Sequence, residues 1–199
     1  MSMPATSLTC DRCNFATSNT IFWGIFYYQI NHDSFINIER SVGWCFDCQT
    51  FTPIEELNKE KATAELQRLK KELSEYQEQL NKTESYKTGF ITRLFTSGSK
   101  LAGLKEKVKY LQANVDEARL YVNLINSRKN PPRCLLCCRS NITPFVLPSV
   151  EDGSGKHLSG FIHPNCGGNI IVENEGIRIS KKLRTRIYSM EGNFLKEEE

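Results

Sequence analysis

Cys10-Asp11-Arg12-Cys13 is the first of four short pairs of metal-type ligands in this chain. Cys45-Phe46-Asp47-Cys48, Cys134-Leu135-Leu136-Cys137 and His163-Pro164-Asn165-Cys166 complete the set. Two ligands separated by two residues can wrap one tight turn around an ion, and two such turns close a tetrahedron of thiolate and imidazole donors. Adjacency along the sequence pairs Cys10 and Cys13 with Cys45 and Cys48, across 31 intervening residues, and Cys134 and Cys137 with His163 and Cys166. The expectation is two structural Zn2+ ions, one at each end of the chain.

The chain has 199 residues, 25% charged and 39% hydrophobic, which fits a folded protein rather than a disordered one. Eight cysteines could signal a secreted disulfide framework, but no basic segment followed by an apolar stretch stands near Met1. A reducing, cytoplasmic setting is therefore expected, where paired Cys-x-x-Cys turns serve as metal ligands or redox groups. The longest apolar run, Ile21 to Tyr28, is far below the roughly 20 residues a membrane helix needs. The net charge of +3 argues against a globally basic nucleic-acid binder.

Between the ligand pairs, Pro53 to Lys129 has no cysteine, no histidine and no further proline. Ala62, Leu66, Leu69, Leu73, Tyr76 and Leu80 recur at steps of three and four, as do Leu101, Leu104, Val108, Leu111, Val115, Ala118, Val122 and Ile125. Such spacing is the apolar seam of paired helices. Thr52-Pro53 with Glu55 and Glu56 predicts a helix start, and Asn130-Pro131-Pro132 a stop. Two helices of about 30 residues, each roughly 45 Å long, predict an antiparallel coiled-coil hairpin. Pairing of each helix with a second copy of the chain is the competing arrangement.

The flanks read as β-structure. Ile21 to Ile30 and Phe35 to Ile38 are separated by the turn cluster Asn31-His32-Asp33-Ser34. Asn169 to Val172 and Ile177 to Ile179 flank Asn174-Glu175-Gly176, which predicts a hairpin, and Arg186 to Lys196 predicts another around Glu191-Gly192-Asn193. Val150 to Gly160 reads as an exposed loop. The fold class expected is α+β, with an N-terminal zinc unit at 1–52, the helical hairpin at 53–130 with its tip near 85–100, and a C-terminal zinc unit at 131–199.

In Cys134-Leu135-Leu136-Cys137-Cys138 the spacing selects Cys137 over Cys138 as the second ligand, leaving Cys138 a spare thiol. Gly167 and Gly168 after Cys166 let backbone amides approach the sulfur. These motifs resemble the zinc-ribbon, or rubredoxin-like, group over residues 8–50 and 132–180; the helical segment belongs to no ribbon. The resemblance implies two ligand-bearing knuckles on small antiparallel sheets and a binding module, without fixing its ligand.

Two surfaces are candidates for partner binding. At the expected tip, Phe90, Ile91, Leu94 and Phe95 stand beside Arg93 and suit a protein groove. Arg178, Lys181, Lys182, Arg184 and Arg186 are five basic residues without an acidic one, suited to nucleic-acid phosphates. The aromatic run Phe22, Trp23, Phe26, Tyr27, Tyr28, with Trp44, reads as a small core packed against the knuckles. Gly153-Ser154-Gly155-Lys156 fails as a phosphate loop, because Val150 stands where its first glycine belongs and His157 where its hydroxyl belongs. No catalytic motif is present, and four protein ligands per ion leave no open position for a catalytic metal. The function expected is a non-enzymatic zinc-binding scaffold for protein–protein assembly, with nucleic-acid contact as a second activity. A nucleic-acid-binding, transcription-associated regulator and a thiol redox protein are its rivals.

Overall fold

The computed structural model describes residues 2–85, 98–146 and 156–198. It is an α+β structure in two compact units. One joins both ends of the chain, Met1–Leu57 and Lys129–Glu199; the other is Asn58–Arg128. The two end segments, read from the sequence as zinc units at 1–52 and 131–199, both lie in the first of these units.

The first unit holds three sheets. In the first, strands β1 (Ser2–Cys10), β2 (Ala16–Ser18), β8 (Lys156–Ile162) and β9 (Asn169–Ser180) lie in the order β2-β1-β9-β8. β1 runs antiparallel to β9, with Cys10 opposite Ile170. This pairing overturns the hairpin expected at Asn174-Glu175-Gly176. β1 is long enough to pair with both halves of β9, so the chain passes straight on through an irregularity at Pro4/Thr6, and Gly176 takes a φ of 66°.

The second sheet contains β5 (Arg40–Cys45), β6 (Thr50–Glu55) and β7 (Ile142–Phe145), ordered β6-β5-β7, with Cys45 opposite Ile142. Thr52 and Pro53 therefore lie in a strand and do not start a helix. β6 is an outer strand, where proline's missing N–H costs no ladder bond, and the Pro53 carbonyl accepts from Leu135 N at 2.9 Å. The third sheet orders β3 (Ile25–Asn31), β4 (Ser34–Asn37), β10 (Thr185–Ser189) and β11 (Phe194–Glu198) as β11-β10-β3-β4, with β10 parallel to β3. The expected hairpin at Glu191-Gly192-Asn193 is present, closed by Gly192 N donating to Ser189 O at 2.8 Å.

Leu8, Ile170 and Val172 of the first sheet share a buried cluster with Trp44, Phe51 and Phe145 of the second, and Phe15, Phe22 and Phe161 pack against it. Phe26 and Tyr28 are buried in the third sheet. Much of the aromatic-rich N-terminal region is thus core, with Phe26 and Tyr28 buried and Phe22, Trp23, Ile25 and Tyr27 part-buried. Glu55, 2% exposed, accepts from Tyr28 Oη at 2.6 Å and from Arg133 N at 2.9 Å. One carboxylate thereby ties β3 and β6 to the chain segment that follows the helices.

In the second unit, helix α1 (Lys59–Ser85) is capped by Asn58, whose Oδ1 accepts from Lys61 N at 2.8 Å. Helix α2 (Gly98–Ser127) ends just before Asn130-Pro131-Pro132. The two pack together through Leu66, Leu69, Leu73, Leu111 and Val115, with Tyr76, Val108, Ala118 and Val122 alongside. Each of these residues belongs to the predicted stripe. Lys105 pairs with Glu84 at 2.9 Å and Lys107 with Glu72 at 3.3 Å across the helices. The expected tip residues Phe90, Ile91, Arg93, Leu94 and Phe95 lie outside the described residues, as does most of the loop expected at Val150 to Gly160, whose last five residues belong to β8.

Glu55→Ala would remove the carboxylate that accepts from the buried Tyr28 hydroxyl and the part-buried Arg133 amide. It is expected to lower the unfolding free energy by about 3 kcal/mol, read by urea denaturation of the metal-loaded protein.

Candidate metal centres

Three of the four turns follow directly on a strand. β1 delivers Cys10 and Cys13, β8 delivers His163 and Cys166, and the β5–β6 connection carries Cys45 and Cys48. Cys134 is bridged to Ile54 of β6, so Cys134 and Cys137 come up beside Cys45 and Cys48. Two groups result: Cys10, Cys13, His163 and Cys166, and Cys45, Cys48, Cys134 and Cys137, with the ligand atoms of each group within 4.8 Å of one another. All eight expected ligands are gathered, but their pairing is corrected. The outermost turns meet each other and the innermost turns meet each other, because beside their neighbour pairings β1 reaches β9, which follows the His163 turn, and β5 and β6 reach β7 and Cys134 across the helical segment.

Sγ–Sγ distances are 3.4 Å for Cys10–Cys166, 3.5 Å for Cys45–Cys137 and 3.9 Å for Cys48–Cys134. A tetrahedral ion about 2.3 Å from each sulfur sets ligand atoms about 3.8 Å apart, so both groups are of a size to hold a metal ion. His163 turns Nδ1 into its group, 3.3 Å from Cys13 Sγ and 3.1 Å from Cys166 Sγ. Its ring lies 4.8 Å from the Phe15 ring and 5.0 Å from Trp44.

Amides point at sulfur in the turns: Arg12 N at Cys10, Cys48 N at Cys45 and Leu136 N at Cys134, all at 3.3–3.4 Å. Residues just after three of the turns adopt left-handed φ: Gln49 at 55°, Cys138 at 61° and Gly167 at 70°. Cys138 is thus the residue that completes the turn rather than a ligand, and it stands outside both groups.

The thiols resist ionising together. Burial acts upward on Cys134, but the Thr52 hydroxyl and the Cys137 and Leu136 amides outweigh it and lower its pKa. Burial and the nearby Cys134 push Cys45 up to about 11, and burial with the Cys137 thiol raises Cys48 further. In the histidine-containing group, burial acts upward on Cys10, yet the Arg12 amide and the Cys166 thiol bring it down. The Gly168 amide draws Cys166 down, but burial and the thiols of Cys10 and Cys13 prevail and lift it to about 11. One thiolate is favoured in each group and the next is opposed, the electrostatics that a bound cation relieves. Burial also lowers the His163 pKa and so favours the neutral, ligating imidazole.

Sequence reasoning missed the braces around the ligands. Asp11 accepts from Asn169 N at 2.8 Å and Asn169 Nδ2 at 3.0 Å, fixing the first turn to the start of β9. Thr52 Oγ1 lies 3.3 Å from Cys134 Sγ. At Gly168 an added Cβ would lie 2.6 Å from both Cys10 Sγ and Asp11 Oδ1. The pattern His-x-x-Cys-Gly-Gly advertised that close approach, while the Asp11–Asn169 brace has no sequence signature.

The five basic candidates are not one strand. Arg178 lies in β9, Lys181 and Lys182 in the connection to β10, and Arg186 in β10. Arg184 and Arg186 are held by Glu197 at 2.9 and 2.6 Å, and Arg186 Nη1 also donates to Leu135 O. No protein-family model, curated protein or solved structure matches this chain.

Gly168→Ala is expected to weaken metal binding at the Cys10–Cys13–His163–Cys166 group about ten- to hundred-fold, with a smaller effect at the all-cysteine group. Chelator competition reads both, and Cys138→Ser serves as the control that changes neither.

Proposed function

We propose that this chain is a non-enzymatic, zinc-stabilised scaffold that joins proteins into an assembly. The observation that carries the reading is the closed character of both ligand groups. Each draws four soft or imidazole donors from the chain itself and leaves no position at a tetrahedral ion for substrate. Zinc suits such sets best among the divalent ions, since it tolerates a thiolate-rich tetrahedron without redox chemistry. The unit joining the chain ends is then two interleaved ribbon-like modules. Its stability depends on the ions, because small sheets bury too little core alone.

The helical unit supplies the partner surface in this reading, as a coiled-coil hairpin. Tyr110 is 61% and Leu120 44% exposed on α2, large apolar side chains of the kind that anchor protein contacts. A nucleic-acid-binding role has weaker support, since Glu197 neutralises two of its five basic residues. A thiol redox role would draw on Cys138, which sits beside the all-cysteine group without joining it.

The full chain, affinity-purified from its own cells, is expected to carry two zinc ions and to retain partner proteins after nuclease treatment. Tyr110→Ser combined with Leu120→Ser should reduce that recovery several-fold. Partners lost on nuclease treatment, or a chain without zinc, would contradict the proposal.

A further inference from the structure

We propose that the two metal groups bind as a coupled pair, occupancy of the all-cysteine group raising the affinity of the Cys10–Cys13–His163–Cys166 group about ten-fold or more. The inference rests on the metal reading above and adds to it an energetic link between the sites.

The first source of coupling is topology. Cys48 and Cys134 stand 86 residues apart, whereas Cys13 and His163 stand 150 apart and enclose them. Once the inner group closes, the path from Cys13 to His163 runs through it and shortens to about 60 residues. Closure probability scales roughly as the inverse three-halves power of loop length, so this shortening favours the outer group about four-fold.

The second source is direct contact. Trp44 immediately precedes Cys45, is fully buried, and meets the His163 imidazole edge-on at 5.0 Å and 77°. Gln49 immediately follows Cys48, and its Oε1 accepts from Asn165 Nδ2 at 2.7 Å, Asn165 lying between His163 and Cys166. The Cys45–Cys48 turn of the inner group is thus flanked at both ends by residues that contact the outer group.

The environment of His163 strengthens the link. A ligating histidine is ordinarily oriented by a hydrogen bond from its other ring nitrogen. Here Nε2 is buried without a protein hydrogen-bond partner among the described residues, as is Trp44 Nε1. Two rings pack against the imidazole instead, Phe15 at 4.8 Å and Trp44 at 5.0 Å, and these two also touch each other at 5.3 Å. Trp44 is therefore a positioning residue for an ion it does not touch, and its own place is fixed by ligation at Cys45. Coupling of this kind is reciprocal.

Cobalt titration of the reduced, metal-free full chain tests the proposal, because visible ligand-field bands distinguish three-sulfur-one-nitrogen from four-sulfur coordination. With Cys137→Ser disabling the inner group, cobalt affinity at the outer group should fall at least ten-fold, and Cys166→Ser should lower the inner affinity by the same factor. Gln49→Ala combined with Asn165→Ala keeps all eight ligands and alters only exposed side chains. It should shrink the coupling about two-fold, toward the roughly four-fold part that loop closure alone supplies. Outer-group affinity unchanged within two-fold when the inner group is disabled would overturn the coupling, and a double alanine variant coupled as strongly as the natural chain would overturn the part assigned to Gln49 and Asn165. Absence of any thiolate-to-cobalt absorption would instead overturn the metal reading itself.

Discussion

The antiparallel pairing of β1 with β9, across some 160 residues, is the constraint on which the end-joining unit depends. It sets Cys10 beside the turn at His163, and the pairing of β5 with β7 repeats the operation one layer in. The ligand turns therefore nest, outer with outer and inner with inner, and the helical segment is inserted at the innermost point. Long-range strand pairs are entropically expensive to close. The aromatic cluster around Trp44, Phe51 and Phe145 offsets part of that expense.

The residues gathered into the two ligand groups were legible in the sequence because a tight ligand turn demands a fixed two-residue spacing. The helices were legible because a period near 3.6 survives in any context, and the members of the predicted stripe that pack at the helix pair are Leu66 to Tyr76 and Val108 to Val122. The partnering of ligand pairs was not legible, since spacing defines a turn but carries nothing about which distant turn it meets. β1, with Pro4, Thr6, Ser7 and Thr9, lacks the β-branched alternation that marks a strand, so the element that settles the pairing gave no signal. Thr52-Pro53 misled for a physical reason: the same hydroxyl and proline that start a helix also fit an outer strand, and tertiary context decided.

Charge on the surface shows a similar limit. Arg184 and Arg186 looked like free cations in the sequence, yet Glu197 folds back in a hairpin to meet both. Sequence composition counts charges; only the register of β10 with β11 reveals which ones already face a partner. The same argument applies to Cys138, which spacing left as a spare thiol and the backbone accounts for through its left-handed φ.

The nested ligand sets are the central claim, and cadmium-113 NMR of the cadmium-loaded chain tests them most directly. Through-bond couplings are predicted to join the β-protons of Cys10, Cys13 and Cys166 to one cadmium, and those of Cys45, Cys48, Cys134 and Cys137 to the other. A single cadmium coupled to both Cys10 and Cys45 would contradict the account.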